Sequence, residues 1–213
     1  KAKLLGVPVL GGIIKKKAQA AVGWDRCKYM VTGAAPINPD ILHFFHKLGI
    51  PLFEGWGLSE STAGSSICYK GNNKIGSVGK PMVGTEAKIA DDGEILIRGR
   101  HIMKGYYNNP EATAEVMDGD WFKTGDVGKI DKDGYLYITG RKKELYISSG
   151  GKNIAPLVIE ETMKGIPILS QVMLIGDGRK YCSALVTLDV GAILRDKLGL
   201  DGATEVPKDP TEQ

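Results

Sequence analysis

The sequence predicts an α/β region followed by a smaller α+β region within 213 residues. Three observations carry that reading. A strand–helix–strand pattern lies between Lys28 and Phe53, the arrangement of a right-handed parallel βαβ unit. From Ser77 onward the pattern turns to strands punctuated by glycine turns. The charged run Arg141-Lys142-Lys143 then separates a second strand–helix–strand–strand segment from the rest.

The elements follow in order. Lys28–Thr32 reads as a short buried strand ending in Gly33-Ala34-Ala35-Pro36. Asn38-Pro39-Asp40 opens a helix with a capping side chain, a proline at the first helical position and an acid in the first turn. Ile41, Leu42, Phe45 and Leu48 keep a helical period, and Gly49 closes it. Ile50–Phe53 is the next strand. Glu94–Arg98 is expected to alternate between inward and outward residues, and Asn109-Pro110-Glu111 opens a helix within Gly105–Met117. Val127–Ile130 and Tyr135–Thr139 flank Asp131-Lys132-Asp133-Gly134, a hairpin turn with glycine where positive φ is needed. Beyond Arg141 come a strand at Leu145–Ser148, a helix over Pro156–Lys164, and a hairpin of Gln171–Ile175 with Ser183–Leu188 around Gly176-Asp177-Gly178. An amphipathic helix over Val190–Leu198 and a polar tail over Asp201–Gln213 complete the expectation.

Composition removes several function classes. A net charge of +3 is too small to argue for nucleic acid. The cysteines, Cys27, Cys68 and Cys182, show neither disulfide nor metal spacing, which points to a reducing, cytoplasmic setting. His43, His46 and His101 are too few to build a His/Cys metal site. The apolar stretch Leu4–Ile14 falls short of the roughly 20 residues that span a bilayer. Lys15-Lys16-Lys17, which alone reads as a solvated face, leaves peripheral membrane contact open beside it, against the plainer reading of an ordinary buried helix end. A first residue of lysine rather than methionine suggests a chain that begins inside a longer protein.

Among the 29 glycines, about twice the ordinary share, four glycine-centred clusters stand out. Thr32-Gly33-Ala34-Ala35-Pro36 ends a strand, where open α/β sheets bind ligands. Taken alone it reads equally as a tight turn. Glu54-Gly55-Trp56-Gly57-Leu58-Ser59-Glu60 offers a ring to a flat base, a hydroxyl to a phosphate and a hard carboxylate to Mg2+. A structural tryptophan in a turn is the alternative. Lys123-Thr124-Gly125-Asp126 presents an acid that either grips two vicinal hydroxyls or caps a turn. Gly140-Arg141-Lys142-Lys143 and Ser148-Ser149-Gly150-Gly151 read as a phosphate- or ribose-directed arginine and a mobile or narrow glycine loop, or as a linker and a turn.

The order GAAP, GWGLSE, GEILIRG, KTGD and GYLYITGRKKELYISSGGKNIAPLVIE resembles the adenylate-forming superfamily of acyl-CoA synthetases, luciferases and peptide-synthetase adenylation domains. Gly105–Met117 and Gly140–Pro156 are worded most like long-chain fatty acid–CoA ligases. The resemblance, which runs from about Tyr29 to Leu188, implies the C-terminal part of a large adenylation domain over residues 1–140 and an incomplete lid domain over 141–213, hinged near 141–144. It implies an ATP- or AMP-binding set of Ala34, Ala35, Glu54, Gly55, Trp56, Gly57, Ser59, Asp126 and Arg141. Trp56 stands where the family usually has tyrosine. The resemblance makes Ser59 and Glu60 catalytic, Ser59 at the α-phosphate and Glu60 holding Mg2+. It sets Asp126 on the ribose with Arg141 nearby, Lys143 at the hinge, and Gly150 and Gly151 beside the CoA channel.

The implied reaction joins a fatty acid to CoA at the expense of ATP, through an acyl-adenylate. Medium-chain or aryl ligases, acyl-AMP ligases and a non-catalytic AMP-binding relative are the alternatives. The family's phosphate loop would precede Lys1, and its catalytic lysine would follow a stretch the chain does not reach. Lys208, in a polar proline-rich tail, is not assigned that role. The chain alone is therefore expected to be inactive.

Overall fold

A computed structural model describes residues 8–191. The expected helix at Val190–Leu198, beyond its first two residues, and the tail from Asp201 lie outside the described residues. The chain divides into two compact units, one ending at Lys142 and the other starting at Lys143.

The first unit opens with helix α1 (Pro8–Ala21), which carries Lys15–Lys17 within it. Strand β1 (Met30–Thr32) leads to helix α2 (Pro39–Lys47). The Asn38 side chain accepts from the Asp40 amide at 2.9 Å, and His46 and Lys47 sit at the negative end of the helix dipole. Leu42, Ile50 and Phe53 are buried beneath this helix and strand β2 (Leu52–Trp56). β1 and β2 pair in parallel, Met30 opposite Leu52 and Thr32 opposite Glu54, as a βαβ unit requires. β2 runs further than expected, through Glu54, Gly55 and Trp56, because β3 (Ser66–Ile67) pairs antiparallel with its last two residues. β4 (Lys80–Pro81) completes this four-stranded sheet.

A second sheet forms from β5 (Thr85–Ile89), β6 (Glu94–Gly99), β7 (Met117–Asp118), β8 (Trp121–Ile130) and β9 (Leu136–Arg141), antiparallel throughout. Helix α3 (Pro110–Val116), capped by Asn109, lies between β6 and β7. The expected alternation of Glu94–Arg98 is corrected: Glu94, Ile95, Leu96 and Ile97 are all buried. β6 sits between β5 and β8 with both faces covered, so neither parity of residue meets water. Ile95, Ile97, Phe122 and Leu136 form the core cluster, against which Trp56 of the first sheet and Leu58 just beyond β2 pack. The Asp131–Gly134 turn forms as expected, with Gly134 at φ 84° and its N–H on the Asp131 carbonyl. Lys74 pairs with Asp131 and holds its carboxyl well below the usual carboxylate range.

The second unit holds β10 (Tyr146–Ile147), β11 (Asn153–Ile154), helix α4 (Pro156–Lys164), β12 (Leu169–Ile175) and β13 (Ser183–Leu188). α4 spans the expected residues. The Tyr146 hydroxyl donates to the Leu174 carbonyl at 2.8 Å, and the Leu174 amide donates to Glu160 on α4 at 2.7 Å. Among the described residues, no helix is long and apolar enough to cross a membrane.

Candidate nucleotide site

The carboxyl ends of the parallel strands β1 and β2 bring the first two glycine clusters side by side. A β-carbon at Gly33 would stand 2.8 Å from the Gly55 carbonyl oxygen, so the two backbones are in contact there. Ala34 follows with φ 66°, a left-handed conformation that costs a non-glycine residue roughly 1–2 kcal/mol. Ala34 and Ala35 are exposed at this end of the sheet. A ligand crevice outside the strand ends is where open parallel sheets place one.

Of the two glycines flanking Trp56, Gly57 answers to packing. A β-carbon at Gly57 would run into the carbonyl of Ala63, in the loop that follows. That loop carries consecutive left-handed residues, Thr62 at φ 54° and Ala63 at φ 72°. The turn demands a bare backbone opposite it. Trp56 itself is half-buried; its ring packs on the core cluster, and its indole N–H donates to Asp126 Oδ2 at 2.8 Å.

Asp126 thereby joins the first sheet from the second. Its side chain is only 6% exposed, and Oδ1 lies 3.0 Å from Nε of Arg141, directly across the β8–β9 ladder. Arg141 is the outer partner, with its side chain 55% exposed. Ladder pairing fixes their separation, so this ion pair needs little extra ordering of either backbone.

Ser59 and Glu60 lie on a short 3-10 turn, Ser59–Ser61, just past β2. Ser59 is exposed, whereas Ser61 is buried and hydrogen-bonded at both ends to Leu58. Glu60 Oε1 accepts from the Tyr106 hydroxyl at 2.9 Å, and its carbonyl accepts from the Met103 amide at 2.7 Å. Burial first, and the Glu60 carboxylate second, push the Tyr106 phenol above its ordinary value. Glu54 accepts from the Gly76 amide at 3.2 Å, and burial raises its carboxyl above the usual range. Among the described residues no three His, Cys, Asp or Glu side chains gather as a metal site. One hard carboxylate such as Glu60 is the donor set that suits Mg2+ held mainly by phosphate oxygens and water.

The structure therefore joins Gly33 to Gly55, Trp56 to Asp126, and Asp126 to Arg141, with Glu60 one short turn beyond β2. Lys143, Gly150 and Gly151 belong to the second unit. Lys143 is exposed on a 3-10 turn over Lys142–Glu144. Gly150 and Gly151 form the tip of the β10–β11 hairpin, closed by the Gly151 amide on the Ser148 carbonyl at 2.8 Å. Gly151 has φ 76° with open space beside it, so its glycine answers to conformation, not crowding.

Tyr106 is the partner of a candidate site residue that sequence reasoning missed. It lies 46 residues from Glu60, and its signal was the paired tyrosine in Gly105-Tyr106-Tyr107, read only as the approach to α3.

Residues 6–107 match the AMP-binding enzyme family. The chain is 44% identical over 181 residues to the long-chain-fatty-acid–CoA ligase FadD15 of Mycobacterium bovis, covering 85% of this chain and 30% of that protein. It is 46% identical over 183 residues to the long-chain-fatty-acid–CoA ligase ACSBG2 of Gallus gallus, covering 83% and 24%. It spans about a third or less of the length of these curated relatives. O-succinylbenzoate coenzyme A synthetase (MenE) of Bacillus subtilis, solved with ATP and magnesium ion, superposes with a TM-score of 0.70 at 30% identity. That match covers 80% of this chain and 39% of the synthetase. With its motif order, its sheets and these similarities in agreement, the chain belongs to the AMP-binding, adenylate-forming enzymes.

Proposed function

We propose that the protein, at its full natural length, is an ATP-dependent long-chain fatty acid–CoA ligase. The observation that carries this reading is the Trp56–Asp126–Arg141 cluster at the carboxyl ends of a parallel strand pair, in a chain 44% identical to a relative so named. The fatty-acid carboxylate attacks the α-phosphorus of ATP, and the bond to pyrophosphate breaks to leave an acyl-adenylate. The CoA thiolate then attacks the acyl carbonyl, and AMP departs.

Each residue has a part in that scheme. Ala34, Ala35 and the backbone of Gly55-Trp56-Gly57 line the adenine, with Glu54 behind them. Asp126 accepts from the ribose hydroxyls, and Arg141, its exposed partner, lies beside the nucleotide. Ser59 donates its hydroxyl to an α-phosphate oxygen. Glu60, held by Tyr106, would hold Mg2+, which when bound neutralises charge on the phosphate oxygens. The acyl-adenylate is hydrolysed readily, so the site must exclude water. A hinge at Lys143 lets the second unit close differently for the two half-reactions, and Gly150 and Gly151 border the passage for CoA.

The test is thioester formation by the full-length protein with palmitate, octanoate or benzoate, each with ATP, Mg2+ and CoA. Palmitoyl-CoA with release of AMP is expected. Preference for octanoate or benzoate would favour a medium-chain or aryl ligase. Adenylate formation without thioester would favour an acyl-AMP ligase, and neither product would overturn the enzymatic reading.

A further inference from the structure

The motif Gly93-Glu94-Ile95-Leu96 has no role in the scheme above, yet Glu94 is charged, inward-facing and only 6% exposed at its side chain. Its surroundings explain why. β6 and β8 pair through Glu94 opposite Val127 and Leu96 opposite Lys123, so one residue of β6, Ile95, faces three of β8. The extra residues of β8 form a bulge, Thr124-Gly125-Asp126, with Gly125 at φ 72°. A bulge gives up ladder hydrogen bonds, and its backbone needs other partners. Here the Gly125 amide donates to Glu94 Oε1 at 2.9 Å. The Thr124 hydroxyl donates to the Ile95 carbonyl at 2.7 Å and accepts from the Asp126 amide at 3.1 Å. The other Glu94 oxygen accepts from Lys142 Nζ at 2.7 Å, and Asp92 shares that ammonium at 2.6 Å.

We propose that Glu94 is a positioning residue for the nucleotide: it anchors the β8 bulge at Gly125 and so sets the angle at which Asp126 is presented. The inference rests on the reading of Asp126 as the ribose acceptor. Removing the carboxylate leaves the Gly125 amide without its partner in a buried place, and the bulge relaxes around the Asp126 Cα. Lys142 keeps the charge of Glu94 compensated, which a buried carboxylate requires.

The experiment compares binding of ATP and of 2′,3′-dideoxy-ATP by calorimetry, using the full-length protein and its Glu94 variants. Wild type should bind ATP at least tenfold more tightly than the dideoxy analogue. Glu94→Ala should reduce that ratio to below threefold while moving the dideoxy affinity by less than twofold. Glu94→Gln, whose amide oxygen can still accept from Gly125, should retain most of the ratio. Should Glu94→Ala fail to fold, Glu94→Asp serves, because it keeps the charge but is one methylene short of Gly125; its ratio should also fall. Equal weakening of both ligands, or an unchanged ratio in Glu94→Ala or Glu94→Asp, overturns the proposal. A wild type that does not discriminate the two ligands, with Asp126→Asn equally indifferent, instead overturns the ribose reading on which it rests.

Discussion

The hydroxyl of Tyr106 donates to Glu60 at 2.9 Å, joining the approach to α3 with the turn after β2. One of the two Glu60 oxygens is thus held in a fixed direction. Tyr106→Phe should raise the Mg2+ concentration needed for half-maximal adenylation several-fold, with little change at saturating Mg2+, on the order of 1 kcal/mol for one charge-assisted bond at a half-exposed site. Glu60→Ala should impair adenylation across the whole titration. An Mg2+ titration of pyrophosphate exchange reads both, and indifference of Glu60→Ala would remove Glu60 from the metal.

Trp56→Phe keeps one aromatic ring against the core cluster and deletes the N–H that meets Asp126 together with the rest of the indole's second ring. The stability loss should be roughly 1–2 kcal/mol, the usual range for a hydrogen bond to a charged group in a half-buried place. Urea unfolding with an unchanged m-value would show it, and ATP affinity should fall in step. A variant as stable as wild type would mean that the bond contributes nothing net.

Glycine substitutions should separate crowding from conformation. Gly57→Ala drives a β-carbon into the Ala63 carbonyl and should cost at least 2 kcal/mol, since backbone must move. Gly151→Ala meets open space and should cost only about 1 kcal/mol, the penalty of a left-handed alanine. Thermal melts of the two variants compare them directly; a smaller loss at Gly57 would contradict the packing described.

Glu54 gives a pH signature. Its folded carboxyl lies above the ordinary value because burial disfavours the charge, so the cost is absent while the group is protonated in both states. It grows as pH rises from the unfolded value through the folded one. Glu54→Gln keeps an oxygen for the Gly76 amide and sheds the charge. It should therefore be more stable than wild type at pH 7 and indistinguishable from it near pH 4. Equal stability at both pH values would show that the burial penalty is negligible.

Local chemistry was legible in the sequence where one segment decides its own form. Asn38 and Asn109 announced their helices because a cap is satisfied within three residues, and Asp131–Gly134 announced its hairpin for the same reason. α1 was anticipated only as a helix end, without bounds, because Gly11 and Gly12 interrupt its pattern and its lysines share no single face. β5 and the first half of β8 were missed as strands, since pairing partners rather than periodicity make them so. The site residues were visible by type and order, but their partnerships were not. Trp56 and Asp126 stand 70 residues apart, and nothing in either motif names the other. The need for glycine at Gly57 was likewise out of reach, because the crowding atom belongs to Ala63 in the loop that follows.

That 70-residue separation bears on how the chain reaches its native state. Closing so long a loop carries an entropic penalty on the order of 4 kcal/mol, which one hydrogen bond does not repay. The indole–carboxylate link therefore forms only after both sheets exist, among the last events of folding. In stopped-flow refolding, nucleotide binding should lag behind the recovery of secondary structure. On the proposed reading of the site, ligand capture then reports completed assembly.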